Sequence, residues 1–428
     1  MRFHVLGVGS IGTLVAHHLR RAIPESDKLS LIIRKGRTGF QLEDAPRSLV
    51  VEFEGIRSQV RGGFQTEYAE MQRDTAFQLI QSTKNQRSQN SSENTKEKKG
   101  ELDLGETGGP IESLIVATKA TRTLQAIRQC SRRLSPNSTI VLLQNGMGLY
   151  ESVVEDLFPH PENRPNIILA TTTHGAWKKR DITSSHHVVH AGNGELQFGI
   201  VPDSRAEPRD FERSFWNVPP TTPVEKRVLS LGDIEDDPLS TQTADDPKYV
   251  SLRRTVAALL ALDLNTKWVP IAQLQIKLRQ KLAINSSINP LTALVGCRNG
   301  DLLGSAYSRG LIQSVCREAS SVFREAALQS DGNDGDSLFG GGMAASGGLQ
   351  ALSARILEAE TFHVIKKTGA NYSSMVLDME RGQPLEIDYM NGYLSHMGAA
   401  YQVPTPTVDA LRRAVLLKAS LRRIADLV

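Results

Sequence analysis

The chain has 428 residues, more than one hydrophobic core usually holds, so two domains with loops or insertions are expected. Its 50 Lys and Arg against 47 Asp and Glu leave a formal net charge of +3, too even for nucleic acid as the main partner, though a local basic pocket is compatible with it. Three cysteines, Cys130, Cys297 and Cys316, form neither a CxxC pair nor an even disulfide framework, which suits reduced thiols, and every apolar stretch is far too short to span a bilayer, so no membrane partner is expected.

The opening Met1-Arg2-Phe3-His4-Val5-Leu6-Gly7 enters a strand at once and leaves no room for a leader peptide, which predicts a cytoplasmic location. Phe3 to Leu6 reads as a short buried strand, and Ile11 to Ala22 as a helix with Ile11, Val15 and Leu19 inward. Leu29 to Ile33 is a second strand. Ser113 to Thr118, Thr139 to Leu143 and Ile167 to Thr171 follow, each apolar and rich in branched residues, as strands covered on both faces are. His187 to Ile200 reads as a hairpin around Gly192-Asn193-Gly194.

Stretches at about 81–109 and 202–248 are polar, and 331–348 is glycine-rich; with little to bury, all three are expected to be disordered insertions at the surface. From about Leu274 the periodicity turns helical, and Thr405-Pro406 resembles an N-cap with proline at the first helical position, opening a last helix through Leu417. The expected fold is α/β: a Rossmann-type dinucleotide-binding domain over 1–270, followed by an all-helical substrate and catalytic domain over 271–428.

Gly7-Val8-Gly9-Ser10-Ile11-Gly12 matches GxGxxG, a common pattern that gains meaning from its context. Here a strand delivers the chain into the turn, Gly9 lets the backbone approach a pyrophosphate, and the following helix points its positive end at the phosphates. The second strand then ends in Arg34, followed by Lys35 and Arg37, where an NAD site places an acidic residue for the ribose 2′-hydroxyl. Cations there suit a 2′-phosphate, so NADP (NADPH) is the expected cofactor with Arg34 as its main contact; a solvated basic loop has the same composition.

Gln275 to Leu294 carries Lys281, Asn285 and Asn289 at successive steps of four, along one face of a helix and beside the apolar Leu282, Ala283, Ile284 and Ile288. A lysine and two amides in a row suit a polar ligand, and the same spacing also describes a solvated helix face. The wider run, Lys281-Leu-Ala-Ile-Asn285-Ser-Ser-Ile-Asn289-Pro-Leu-Thr-Ala followed by Asn299-Gly300-Asp301-Leu302, is similar to the signature of the ketopantoate (2-dehydropantoate 2-) reductases. Further landmarks of that family stand in order: the GxGxxG turn, Ala117-Thr118-Lys119, Gln144-Asn145-Gly146-Met147-Gly148, Thr171-Thr172-Thr173-His174, Asn371-Tyr-Ser-Ser374-Met and Glu386-Ile-Asp-Tyr389-Met-Asn391-Gly392. They span nearly the whole chain outside the three insertions.

The resemblance implies NADPH-dependent reduction of 2-dehydropantoate to pantoate, a step toward pantothenate and coenzyme A. It assigns the proton donor to Lys281 and a carboxylate that orients substrate beside the nicotinamide to Glu386, a residue that also reads as a routine helix start. It makes Asn145 a contact shared by cofactor and substrate, Lys119 and Ala176 cofactor contacts, and Asn285, Asn289, Asn299 and Ser374 contacts to the substrate hydroxyl and carboxylate. Asn299 before Gly300 is equally a turn residue.

His174 invites an acid–base reading. The family uses no histidine, so its expected role is structural. The Tyr-Lys pair of short-chain reductases and any metal-ligand cluster are missing from the sequence. Alternatives to the leading reading are a reductase of another small 2-keto acid and a non-catalytic NADP-binding regulator. Either a monomer or a homodimer is compatible with the sequence.

Overall fold

The computed structural model describes residues 1–34, 48–69, 108–179, 186–203, 205, 211–219, 221–223, 226–235, 246–330 and 348–425. The chain opens with β1 (Arg2–Leu6), α1 (Ser10–Ala22) and β2 (Lys28–Arg34), then β3 (Ser48–Phe53), β4 (Ile56–Arg61) and β5 (Gln65–Ala69). Next come β6 (Ser113–Val116), α2 (Ala120–Cys130), β7 (Thr139–Leu142), α3 (Leu149–Leu157) and β8 (Asn166–Thr172). β9 (Gly175–Lys179), β10 (His186–Gly192), β11 (Leu196–Ile200), α4 (Pro247–Leu260) and β12 (Thr266–Trp268) complete the sheet-forming part. The remainder is helical, with α5 (Ile271–Val295), α6 (Ala306–Ser330), α7 (Ala354–Lys367), α8 (Ser374–Glu380), α9 (Asn391–Ala400) and α10 (Pro406–Ala425). A Rossmann-type α/β part followed by helices is therefore the fold, as the strand–helix alternation implies.

The main sheet runs β12-β11-β8-β7-β6-β1-β2-β5. Its strands from β8 to β5 are parallel, and β11 joins β8 antiparallel. Succession reverses at β1, which has β2 on one side and β6 on the other, so the loops leaving the carboxyl ends of β1, β6, β7 and β8 border one crevice. Every residue of β6 and β7 is buried, because helices cover both faces.

A second, four-stranded sheet, β4-β3-β10-β9, is not signalled by the sequence reading and packs on α1. It corrects two expectations. Val15 and Leu19 are buried and Ile11 packs partly buried on the same core, as expected, but α1 is buried all round from Gly12 to Leu19, His17 and His18 included, because a sheet lies on each side of the helix. The stretch from His187 to Ile200 is no hairpin: β10 pairs with β3 and β9, whereas β11 pairs with β8 and β12 in the main sheet. Gly192-Asn193-Gly194 is where the chain crosses between sheets. Glycines mark a change of direction, and a change of direction does not say which strand comes next.

The expected insertion at 202–248 is also corrected where it is described; 204, 206–210, 220, 224–225 and 236–245 lie outside the described residues. Phe211, Phe215, Leu229 and Ile234 are buried in the sheet core. Arg205 is buried and donates to Asp203, the Pro136 and Arg164 carbonyls and Asn166 Oδ1, while Tyr249 Oη donates to Asp203 at 2.6 Å. A few aromatics scattered among polar residues carry no period, so composition alone hides this packing. The expected insertions at 81–109 and 331–348 lie outside the described residues except at their last positions.

The helical part has its own core, and each part reaches into the other. Met147, from the loop after β7, packs in the helical core, while Leu274 and Leu278 of α5 pack against the sheet. Pro290 sits inside α5 and cannot donate to the Ser286 carbonyl one turn earlier; the Asn391 side-chain amide donates to it instead, at 3.1 Å. Among the described residues no helix is long and apolar enough to cross a membrane.

Candidate active site

The glycine turn lies at the carboxyl end of β1, and each of its glycines has a different physical reason. Gly7 has φ +92°, and a Cβ there would fall within 3 Å of Thr118. A Cβ on Gly12 would lie 1.9 Å from the Gly7 carbonyl oxygen, so only glycine lets α1 start this close to the strand. Gly9 meets nothing within 4 Å, so its backbone is open to a ligand. Val8 is buried beneath the turn, Ser10 and Ile11 begin α1, and no acidic residue opposes an anion in the first turn. Backbone, glycines and helix start thus fit a pyrophosphate group. β2 ends at Arg34, beside Ala69 of β5; the Arg34 side chain, Lys35 and Arg37 lie outside the described residues.

At the neighbouring strand ends the two parts of the chain meet. Lys119, between β6 and α2, is ion-paired with Asp378 of α8, and the next amide, Ala120 N–H, donates to Glu386 Oε1 at 2.8 Å. Glu386 is 6% exposed and precedes a single helical turn, Ile387–Tyr389, as a helix-start residue would. It also satisfies the first free amide of α2, a helix of the other part of the chain, through one of its two carboxylate oxygens. Burial pushes the Glu386 carboxyl above the usual carboxylate range; the Ala120 amide, Lys119 and Lys281 oppose that rise, and Asp378 adds to it.

Lys281 reaches the same crevice from α5. β7 ends at Leu142, opposite Leu169, while β8 continues to Thr172, so the last residues of β8 overhang their neighbour. Lys281 Nζ donates to Thr171 Oγ1 at 3.1 Å and to the Thr172 carbonyl at 3.0 Å. Burial pushes its pKa from 10.5 down to about 8, against the charge of Glu386, which raises it. An ammonium poised near neutral pH can both polarise an oxygen and release a proton.

Asn145 follows β7 in a loop bound to the helical part: Met147 N–H donates to the Tyr389 carbonyl at 2.9 Å, three residues beyond Glu386. Asn285 and Asn289 lie one and two turns past Lys281 on α5, with Asn285 half-buried and Asn289 Nδ2 3.5 Å from Met390 Sδ. Ser374 is exposed at the start of α8, whose N-terminus is capped by Ser373; Thr292 Oγ1 of α5 donates to the Ser373 hydroxyl at 2.8 Å. The helix α8 thus carries Ser374 at one end and Asp378, partner of Lys119, one turn on.

Asn299 stands apart from Lys281, beyond the other end of α5. It is buried, opens a short 3-10 helix and donates Nδ2 to Thr368 Oγ1 at 2.9 Å, and its own Oδ1 has no partner. Ala176 lies on β9, paired with His190, and not in a loop after the threonines. His174 is buried among backbone groups and His190, in keeping with a structural role. Asp378 was missed by the sequence reading; its one signal was the spacing of four from Ser374, which puts both on one helix face.

Comparison with known proteins identifies the arrangement. Two models of the family described as Ketopantoate reductase PanE/ApbA match, one over residues 57–203 and its C-terminal counterpart over residues 273–419, together more than half of the chain. The chain is 29% identical over 285 residues to the Schizosaccharomyces pombe protein named probable 2-dehydropantoate 2-reductase, covering 66% of this chain and 67% of that one. It is 26% identical over 302 residues to the 2-dehydropantoate 2-reductase of Vibrio cholerae, covering 71% of this chain and 76% of that one. The solved structure of a PanE/ApbA family ketopantoate reductase from Ralstonia eutropha superposes with a TM-score of 0.60 at 16% identity, covering 99% of this chain and 100% of that one, which shows the shared fold. With two family models spanning both its sheet and its helices, the chain belongs to the ketopantoate reductase family and is an oxidoreductase acting on a CH–OH group.

Proposed function

We propose that this enzyme reduces 2-dehydropantoate to pantoate with NADPH, in the cytoplasm, as a step toward pantothenate and coenzyme A. The observation that carries the reading is the Lys281 ammonium, held at the overhang of β8 within the electrostatic reach of Glu386. Residues 1–270 serve as the nucleotide-binding domain and 271–428 as the substrate domain. NADPH, when bound, supplies the hydride to the carbonyl carbon.

The chain does the rest. The backbone of Gly7, Val8, Gly9, Ser10, Ile11 and Gly12 receives the pyrophosphate; Arg34, at the end of β2, supplies the charge for the 2′-phosphate, and Lys119, Asn145 and Ala176 complete the cofactor contacts. Asn145, Asn285, Asn289 and Ser374 hold the hydroxyl and carboxylate of the acid; Asn299, beyond the far end of α5 and bonded to Thr368, is a turn residue and takes no part. Lys281 polarises the keto oxygen, stabilises the negative charge growing on it and donates a proton to it, and the lysine is then reprotonated from water. Glu386 orients the substrate hydroxyl and keeps a negative charge near the ammonium.

NADPH oxidation over a panel of small 2-keto acids tests this reading. The kcat/KM for 2-dehydropantoate is expected to exceed that for any other acid by about tenfold or more, since a pocket that binds a substrate hydroxyl discriminates strongly against acids lacking one. A higher value for another acid would replace the substrate, and no oxidation with any acid would remove the enzymatic reading in favour of NADP-dependent regulation. Cofactor choice is tested separately by Arg34→Ala. KM for NADPH is expected to rise about tenfold with KM for NADH little changed, because a charge-assisted contact to the 2′-phosphate is lost. Equal effects on both cofactors would remove Arg34 from the site.

A further inference from the structure

We infer that His174, which contacts none of the reacting groups, is a positioning residue for the Lys281 ammonium, acting through the end of β8. The inference rests on Lys281 being the proton donor. One of the two acceptors of that ammonium is a backbone carbonyl, that of Thr172, so its direction depends on how the chain just beyond β8 is fixed.

That segment is held by a closed set of bonds. Thr173 N–H donates to the Glu195 carbonyl at 2.9 Å, Glu195 N–H donates back to Thr173 Oγ1 at 3.0 Å, and His174 N–H donates to Thr172 Oγ1 at 3.2 Å. The His174 ring then binds three parts of the chain to this turn. Gly194 N–H donates to Nδ1 at 3.0 Å, so Nδ1 accepts and Nε2 is left to donate to the Leu264 carbonyl at 2.9 Å; His190 Nε2 lies 2.9 Å from the same Nδ1. Gly194 has no room for a side chain here, since a Cβ would fall 2.5 Å from the Thr173 carbonyl carbon.

The titratable groups around this ring come from three sides. They are His190 of β10, His18 of α1 and, acting on His18, Asp263 before β12 and Arg21 of α1. Burial holds the His18 imidazole down at about 4, so it brings no positive charge to the cluster near neutral pH. The network is thus set by hydrogen-bond geometry, and its product is the fixed direction of the Thr172 carbonyl. A threonine hydroxyl and a fixed carbonyl favour the charged form of Lys281; losing their alignment favours the amine.

The test compares His174→Leu, His174→Asn and His174→Gln with the unaltered enzyme, following kcat and both KM values for 2-dehydropantoate and NADPH from pH 6 to 10. For His174→Leu, kcat is expected to fall about tenfold or more with KM for NADPH unchanged, because small misplacements of a catalytic group cost rate. The alkaline limb of kcat is expected to move to lower pH by about one unit, because the ammonium has lost acceptors. Asn keeps a polar group near the Nδ1 position and Gln near the Nε2 position, so each should restore part of both effects, and they carry the test if the leucine variant does not fold.

Unchanged kcat and an unchanged alkaline limb in the folded variants would overturn the inference. A Lys281→Ala control separates the two ideas. If that variant is inactive while the His174 variants match wild type, His174 has no positioning role; if it remains active with the same limb, the donor assignment itself has failed.

Discussion

Lys281→Ala is expected to lower kcat by about 10³-fold or more while KM for NADPH stays within about twofold, since the ammonium acts on charge that develops during reduction and not on the bound nucleotide. Steady-state rates together with NADPH titration of the variant check both halves. The pH dependence follows from the same side chain. With the Lys281 pKa near 8, the ammonium form predominates below that value and the amine above it, so kcat for reduction is expected to be level below pH 8 and to fall as pH rises through it. Burial is the main cause of the shift and Glu386 opposes it, so Glu386→Gln is expected to move the falling limb to lower pH. A limb near the ordinary lysine value, or full turnover by Lys281→Ala, would rule out the donor.

Gly146→Ala is expected to be nearly as damaging, though residue 146 carries no chemistry. Gly146 has φ +84°, and a Cβ there would lie 2.4 Å from the Tyr389 carbonyl oxygen, the atom that receives Met147 N–H. The left-handed backbone alone costs about 1–2 kcal/mol for alanine, and the contact with backbone forces the loop away from the helical part. Asn145 and the segment carrying Glu386 then separate, and kcat/KM is expected to fall about 10²-fold, the scale set by misplacements near 1 Å. Gly55→Ala is the control. It has φ +81° and nothing within 4 Å of its Cβ, so it carries the strain without the contact, and its kcat/KM should stay at the wild-type value. Equal kinetics for the two variants would mean that docking of this loop is irrelevant to turnover.

The strands that line the crevice are legible because each is a local run of branched apolar residues. Phe3 to Leu6, Thr139 to Leu142 and Ile167 to Thr171 need covering on both faces wherever they occur, and a strand, a glycine turn and a helix in succession form a nucleotide turn without help from distant residues. The row Lys281, Asn285, Asn289 is likewise a property of one helix. The second sheet escapes such reading, because it joins β3 to β10 across more than a hundred residues, and β4 is largely exposed and so has a weak apolar signal. Phe211 and Phe215 escape it for a related reason: two aromatics without a period give no face, and only the sheet they meet makes them core.

The electrostatics of the candidate site are the least local feature of all. Lys281 finds its acceptors 110 and 109 residues away, Lys119 finds Asp378 at a separation of 259, and Glu386 finds the Ala120 amide at 266. Sequence alone determined which residue types stand on which strand end or helix face, since backbone dihedrals and burial periodicity are set by near neighbours. Tertiary structure decided which of them meet and with what proton affinity, because a pKa sums burial and charge over neighbours in space, most of which are remote along the chain.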